Sequence, residues 1–243
     1  SSYTVRGADG YPLKTFFYPN AQKNGKYVII SHGYTDNRYG DLKYMKIYLD
    51  LGYSIVLYDL RGHGENPKTP TTYGYFEALD LLHIIEDTRF KYSDIKVIGL
   101  HGESLGAATT VTCLQYRPVV DFAIADCPYA DIKEIFYGQL GANPLSSFLI
   151  TLGSIGAKLR FNVSFGQMRP IEAIKNNTVP VLFIHGLADE LIAPSNSERL
   201  YAATKGEKEI CLIDDAPHAA SVLTDPEKYR KAVAAFLEKY ATK

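Results

Sequence analysis

Short apolar runs recur along the chain, and between them the apolar positions fall three and four residues apart. Residues 27–31, 54–58, 96–100, 122–125, 181–184 and 209–213 are rich in Val, Ile and Leu and carry few polar side chains. Runs that are apolar at nearly every position suit strands buried on both faces of a parallel sheet. Residues 3–6 and 15–18 flank the turn pair Asp9-Gly10 and predict an opening hairpin. Helical spacing covers 42–51, 75–88, 105–116, 195–204 and 226–240. Strands alternating with helices predict one doubly wound α/β domain over residues 1–243. Its sheet would be mostly parallel and eight-stranded, with helices on both faces and ligands bound beyond the carboxyl ends of the strands.

One stretch breaks the alternation. Between the sixth and seventh predicted strands, residues 135–157 carry no charge and are rich in Phe136, Leu140, Leu145, Phe148, Leu149, Leu152 and Ile155. A membrane span is excluded, because Gly138, Gln139, Gly141, Asn143 and Pro144 interrupt the roughly 20 apolar residues that a span needs. Residues 132–168 therefore read as a helical insertion.

Composition narrows the partners more than the fold. With 46% hydrophobic residues in 243, the chain can bury a sizeable core. The net charge is −1 and the cations are spread along the chain, so no basic face points to nucleic acid or an anionic membrane. Cys113, Cys127 and Cys211 are odd in number and far apart, unlike a disulfide framework or a Cys-x-x-Cys metal site. They read as small buried side chains in a reducing compartment, so the cytoplasm is expected. The chain opens at Ser1 without methionine, which leaves room for a removed signal or anchor.

The candidate chemistry centres on Gly102-Glu103-Ser104-Leu105-Gly106, where an apolar run hands over to a small-residue helix. In a Gly-X-Ser-X-Gly elbow the serine sits on a strained strand-to-helix turn, its hydroxyl pointing outward beside the free N–H groups of the helix start. Asp189 follows the 181–184 strand in His185-Gly186-Leu187-Ala188-Asp189, and His218 follows the 209–213 strand after Asp215-Ala216-Pro217. Asp126, after the 122–125 strand, and Glu190 compete with Asp189 as the acid. Asp214 and Asp215 lie too near His218 in the chain to turn back on it. His32 and His63 are expected to position their turns, His101 to be a packed neighbour, and His83 to lie far from the rim. None has metal-ligand spacing.

Ser31-His32-Gly33-Tyr34 ends the 27–31 strand, and Asp59-Leu60-Arg61-Gly62-His63-Gly64 follows the 54–58 strand. With these motifs the chain resembles the α/β-hydrolase superfamily over nearly its whole length, nearest to bacterial serine esterases and serine aminopeptidase-like hydrolases. The resemblance implies Ser104 as nucleophile, His218 as base, Asp189 as the acid that orients the imidazole, and the backbone N–H groups of Tyr34 and Leu105 as an oxyanion hole. It implies no metal and no organic cofactor. Ser104 also departs from the dehalogenase branch, which carries an aspartate there. α/β-Hydrolases commonly carry a lid where the 132–168 insertion falls, so Phe136, Phe148 and Leu152 are expected on a lid's apolar underside. Core helices or a homodimer contact are the other uses of this segment. The expected activity is cleavage of carboxylic esters with small to medium apolar acyl or aryl groups through an acyl-enzyme. Short-peptide aminopeptidase or amidase, thioesterase, and a catalytically silent binding member are the alternatives.

Overall fold

The apolar runs pair into one twisted sheet. The computed structural model describes residues 1–241. Among them, β1 (Ser2–Arg6), β2 (Pro12–Tyr18), β3 (Lys26–Ser31), β4 (Ser54–Tyr58), β5 (Val97–Glu103), β6 (Phe122–Asp126), β7 (Val181–Gly186) and β8 (Lys208–Ile213) lie in the order β1-β2-β4-β3-β5-β6-β7-β8. β2 runs antiparallel to β1 and β4, and every other pair is parallel. The helices are α1 (Leu42–Asp50), α2 (Tyr75–Lys91), α3 (Leu105–Cys113), α4 (Ile132–Leu140), α5 (Pro144–Phe161), α6 (Pro170–Ala173), α7 (Ser195–Ala203), α8 (Ser221–Thr224) and α9 (Pro226–Tyr240).

The continuous apolar runs have the cause expected of them. Successive strand residues serve opposite faces. Ile29, Val56 and Tyr58 pack with Leu81, Ile84, Val111 and Leu200 from α2, α3 and α7. Val28, Ile30, Ile55 and Leu57 pack on the other side with Tyr44, Tyr48, Phe236 and Leu237 from α1 and α9. Most boundaries shift by one to three residues, and two of the shifts flank Ser104. β5 continues past its apolar run to Glu103, because its backbone pairing with β3 and β6 carries on through Gly102. α3 stops at Cys113, and residues Leu114–Tyr116 tighten into a 3-10 turn.

Register levels the strand ends. Ser31 lies opposite Gly102, Glu103 opposite Asp126, Asp126 opposite Ile184, and Gly186 opposite Ile213. The loops leaving β3, β5, β6, β7 and β8 consequently share one rim. The segment between β6 and β7 forms two helices, since Gly141 turns at φ 76 and Asn143-Pro144 starts a new one. The Asn143 side chain accepts the Ser146 N–H at 3.0 Å, and Ser146 Oγ accepts the Asn143 N–H at 3.1 Å, a reciprocal cap. No helix of the described residues is long and apolar enough to cross a membrane.

Candidate active site

Ser104 occupies the sharp turn between β5 and α3, with φ 53 and ψ −113, a backbone region that costs an L-residue about 1–3 kcal/mol. Its neighbours impose the turn. Its N–H donates to the Asp126 carbonyl at 2.8 Å. A Cβ on Gly102 would collide with the Gly106 carbonyl, and one on Gly106 with the Ser31 carbonyl, so both flanking positions need glycine. Leu105 opens α3, where an N–H has no acceptor within the helix. The loop after β3 runs alongside: a Cβ on Gly33 would lie 3.6 Å from the Ser104 Cβ.

Two motifs that are apart in the sequence lock this loop. Buried His32 accepts the Leu60 N–H at Nε2, 2.9 Å, and donates from Nδ1 to the Gly33 carbonyl, 2.7 Å. Burial pushes its pKa down to about 4, so the ring is a neutral strut. Asp59 accepts the backbone N–H groups of Arg38 and Glu65, each at 2.9 Å, and pairs with the Arg38 guanidinium. His63 Nδ1 bonds the carbonyl of Arg61, two residues earlier, at 2.9 Å. Both histidines position turns, as expected.

Ser104, His218 and Asp189 meet although 114 and 29 residues separate them. Ser104 Oγ lies 2.9 Å from His218 Nε2, and His218 Nδ1 lies 2.7 Å from Asp189 Oδ2. The Asp189 Oδ1 accepts the N–H groups of Leu191 (3.0 Å) and Ile192 (2.8 Å). Burial pushes this carboxyl up, yet hydrogen bonds from His185, His218 and Ile192 outweigh it and hold the group well below the usual carboxylate range. An ionised carboxylate can only accept, so His218 carries its proton on Nδ1 and offers Nε2 as acceptor for the Ser104 hydroxyl. Asp126 does not compete for His218. It lies buried under the hydroxyls of Tyr44 (3.1 Å) and Tyr229 (3.0 Å), where burial first and the Glu103 charge second push its pKa up to about 7. His101 is a packed neighbour, bonded to Tyr48 at 2.7 Å and pushed down to about 3 by burial.

Two supporting groups are not marked by the sequence motifs. His185 Nε2 lies 3.2 Å from Asp189 Oδ2 and 2.8 Å from the Ile192 carbonyl, while its Nδ1 meets Ser197 Oγ at 2.7 Å. The His-x-x-x-Asp spacing was its only signal. Lys43 forms an ion pair with Glu103, the neighbour of Ser104, and donates to the carbonyl of Ala219, the neighbour of His218, at 3.0 Å. Nothing in the sequence marks Lys43, whose partners lie in distant loops. Finally, the Cys127 thiol lies with Asp189 and His218, their ligating atoms within 4.8 Å of one another. Asp189 and His218 already hold each other, and burial keeps the thiol well above its ordinary pKa, so this trio reads as packing.

A cavity of about 230 Å³ opens beside Ser104, lined chiefly by Tyr34, Tyr73, Tyr129, Ile132, Phe136 and Ile192. The Tyr129 hydroxyl donates to the Tyr73 carbonyl at 2.9 Å, and Phe136 meets the Tyr73 ring edge-on at 5.4 Å. Of the three insertion residues expected at substrate, only Phe136 lines it. Phe148 and Leu152 stand exposed on α5, because that helix buries Ser146 and Ile150 on its opposite side and contributes no residue to the cavity lining.

The sequence pattern of the α/β-hydrolase fold family matches residues 26–131, from the start of β3 to the residue before α4. Over 98% of its length the chain is 35% identical to the uncharacterized protein YqkD of Bacillus subtilis, covering 79% of that protein. The chain belongs to the α/β-hydrolase family. This α/β-hydrolase superposes on the esterase Pf2001 of Pyrococcus furiosus with a TM-score of 0.79 at 24% identity, over 100% of this chain and 93% of the other. Est1E of Butyrivibrio proteoclasticus, solved with ferulic acid bound, gives 0.75 at 18% identity, over 99% and 100% of the two chains. The acylaminoacyl peptidase of Pyrococcus horikoshii gives 0.76 at 18%, over 100% of this chain and 41% of the peptidase. The fold is thus esterase-like, and a fold that hosts both activities does not choose between them.

Proposed function

We propose that this α/β-hydrolase is a serine carboxylesterase working through an acyl-enzyme. The observation that carries the reading is the unbroken Ser104–His218–Asp189 hydrogen-bond chain beside an uncharged cavity. Ser104 Oγ attacks the ester carbonyl while its proton passes to His218 Nε2, and ionised Asp189 stabilises the imidazolium. The backbone N–H groups of Leu105 and Tyr34 face the oxygen on which charge develops. His218 returns the proton to the departing alkoxide. Water then gives a proton to His218 and attacks the acyl carbon, and the proton passes to Ser104 Oγ as the acid leaves.

The cavity sets the acyl group. Its roughly 230 Å³ falls below the about 300–1,000 Å³ of pockets for drug-sized ligands, which favours short aliphatic or single-ring acyl groups. The walls favour esters over peptides with a free amine, since no carboxylate lines them to hold an ammonium. α4 supplies Ile132, Ile135 and Phe136 to that wall, so residues 132–168 act as a lid through α4. A fluorophosphonate probe should label the wild type and not Ser104→Ala. A series of p-nitrophenyl esters beside aminoacyl naphthylamides then decides the class. Higher kcat/KM on the amides would move the reading to a peptidase, and no labelling would leave a silent binder.

A further inference from the structure

α5 is apolar on two opposite sides and packed on only one. At about 100° per residue, Ser146, Ile150, Ala157 and Phe161 share the side turned toward α4 and the 165–167 turn, and all four are buried or half-buried. Leu145, Phe148, Leu149, Leu152, Ile155 and Leu159 fall within an arc of roughly 120° on the opposite side. All six are exposed, from 47% for Leu152 to 84% for Leu159. A helix that is apolar all round is ordinarily enclosed. Here the outer stripe has no cover among the described residues, and a contiguous exposed apolar surface of this kind marks a binding face.

Charge identifies what covers it. Along the sequence the cations look evenly spread, but the acids are missing from residues 135–171, whose charged side chains are Lys158, Arg160 and Arg169. On α5, Lys158 and Arg160 flank the apolar stripe on either side near the helix's C-terminal end. The Lys158 ammonium reaches the Asn162 carbonyl at 3.1 Å, and the Arg160 guanidinium rests 5.5 Å from the Phe161 ring centre. Neither pairs with a carboxylate among the described residues. A second copy packed α5 against α5 would bring the same acid-free surface and leave these cations unpaired. An anionic lipid surface supplies both missing partners, an acyl layer for the stripe and phosphates for the cations.

We propose that α5 is an interfacial helix that seats this protein on anionic bilayers, lying flat with its outer stripe at the boundary of headgroups and acyl chains. α4, on which α5 packs, lines the cavity beside Ser104, so docking sets that cavity near the lipid. The inference does not depend on the hydrolase reading, since binding requires no turnover. The test is co-sedimentation of the full chain with vesicles of phosphatidylcholine alone or mixed equally with phosphatidylglycerol. Binding should be strong only with the mixed vesicles and should weaken as salt rises. Lys158→Gln/Arg160→Gln should reduce partitioning about tenfold or more. Leu149→Ser/Leu152→Ser/Leu159→Ser should abolish it, with circular dichroism confirming that both variants fold. Equal binding to the two vesicles, no binding, or undiminished binding by either variant overturns the proposal. So does a wild-type dimer that the leucine variant converts to a monomer without vesicle binding, which would assign the stripe to a second copy.

Discussion

Ser104 combines an outward hydroxyl with a backbone that L-residues avoid, and the two properties can be separated by substitution. Ser104→Ala and His218→Ala should each lower kcat by roughly 10⁴-fold while leaving the fold intact. Ser104→Gly should be equally inactive yet more stable than Ser104→Ala by about 1 kcal/mol, because glycine relieves the strain of φ 53. Equal denaturation midpoints for the two variants would show that the elbow is not strained. Asp126 makes a second prediction. Its folded pKa is raised to about 7, whereas an unfolded aspartate ionises near ~4. Between those values the folded state holds the proton more tightly. The stability this contributes is fully present below about pH 4 and lost as pH rises to about 7. Asp126→Asn should remove a few kcal/mol of that dependence, read as Tm against pH. Parallel curves for wild type and variant would refute it. Ser104, Asp189 and His218 were legible in the sequence because each follows the end of a recognisable strand. His185 and Lys43 were not, because their roles arise only when distant loops meet.

The elements show where pattern reading stops. All eight strands were legible, since burial on both faces leaves an unmistakable apolar run, but β2 begins three residues before its expected start and β5 runs three past its expected end. α5 defeated the same logic: with apolar residues on both sides, periodicity could not say which side faces inward, and Phe148 and Leu152 were placed at the substrate although they point to solvent. Phe136 on α4 is the side chain to vary. Phe136→Ala should enlarge the cavity and raise kcat/KM for octanoate relative to acetate, whereas Phe148→Ala should leave that ratio unchanged. An unchanged ratio in both would remove α4 from the specificity wall. α1 contributes through Lys43. Lys43→Met leaves the buried Glu103 carboxylate without its ion pair, at about 1–3 kcal/mol of stability, and frees the Ala219 carbonyl. Adding Glu103→Gln should restore stability but not turnover, if Lys43 positions the loop that carries His218. Turnover that recovers along with stability would reduce Lys43 to a structural role.

On the scale of the whole molecule, the levelled strand ends have a consequence in time. The hydroxyl comes from the centre of the sheet and the imidazole from the loop beyond β8, its outermost strand, 114 residues later. Contacts so distant in the chain close late, and a domain of this size folds through intermediates. A half-built sheet can present the elbow, but without the edge strand it has no base to take the proton. Reactivity at Ser104 is thus a report that the last strand has docked. During refolding from denaturant, the helical signal should return first, with fluorophosphonate labelling of Ser104 lagging until the near-ultraviolet signal of the packed tyrosines is native. Labelling that outran packing would mean the serine reacts without His218. Labelling that keeps step with packing makes the probe a clock for completion of the chain's fold.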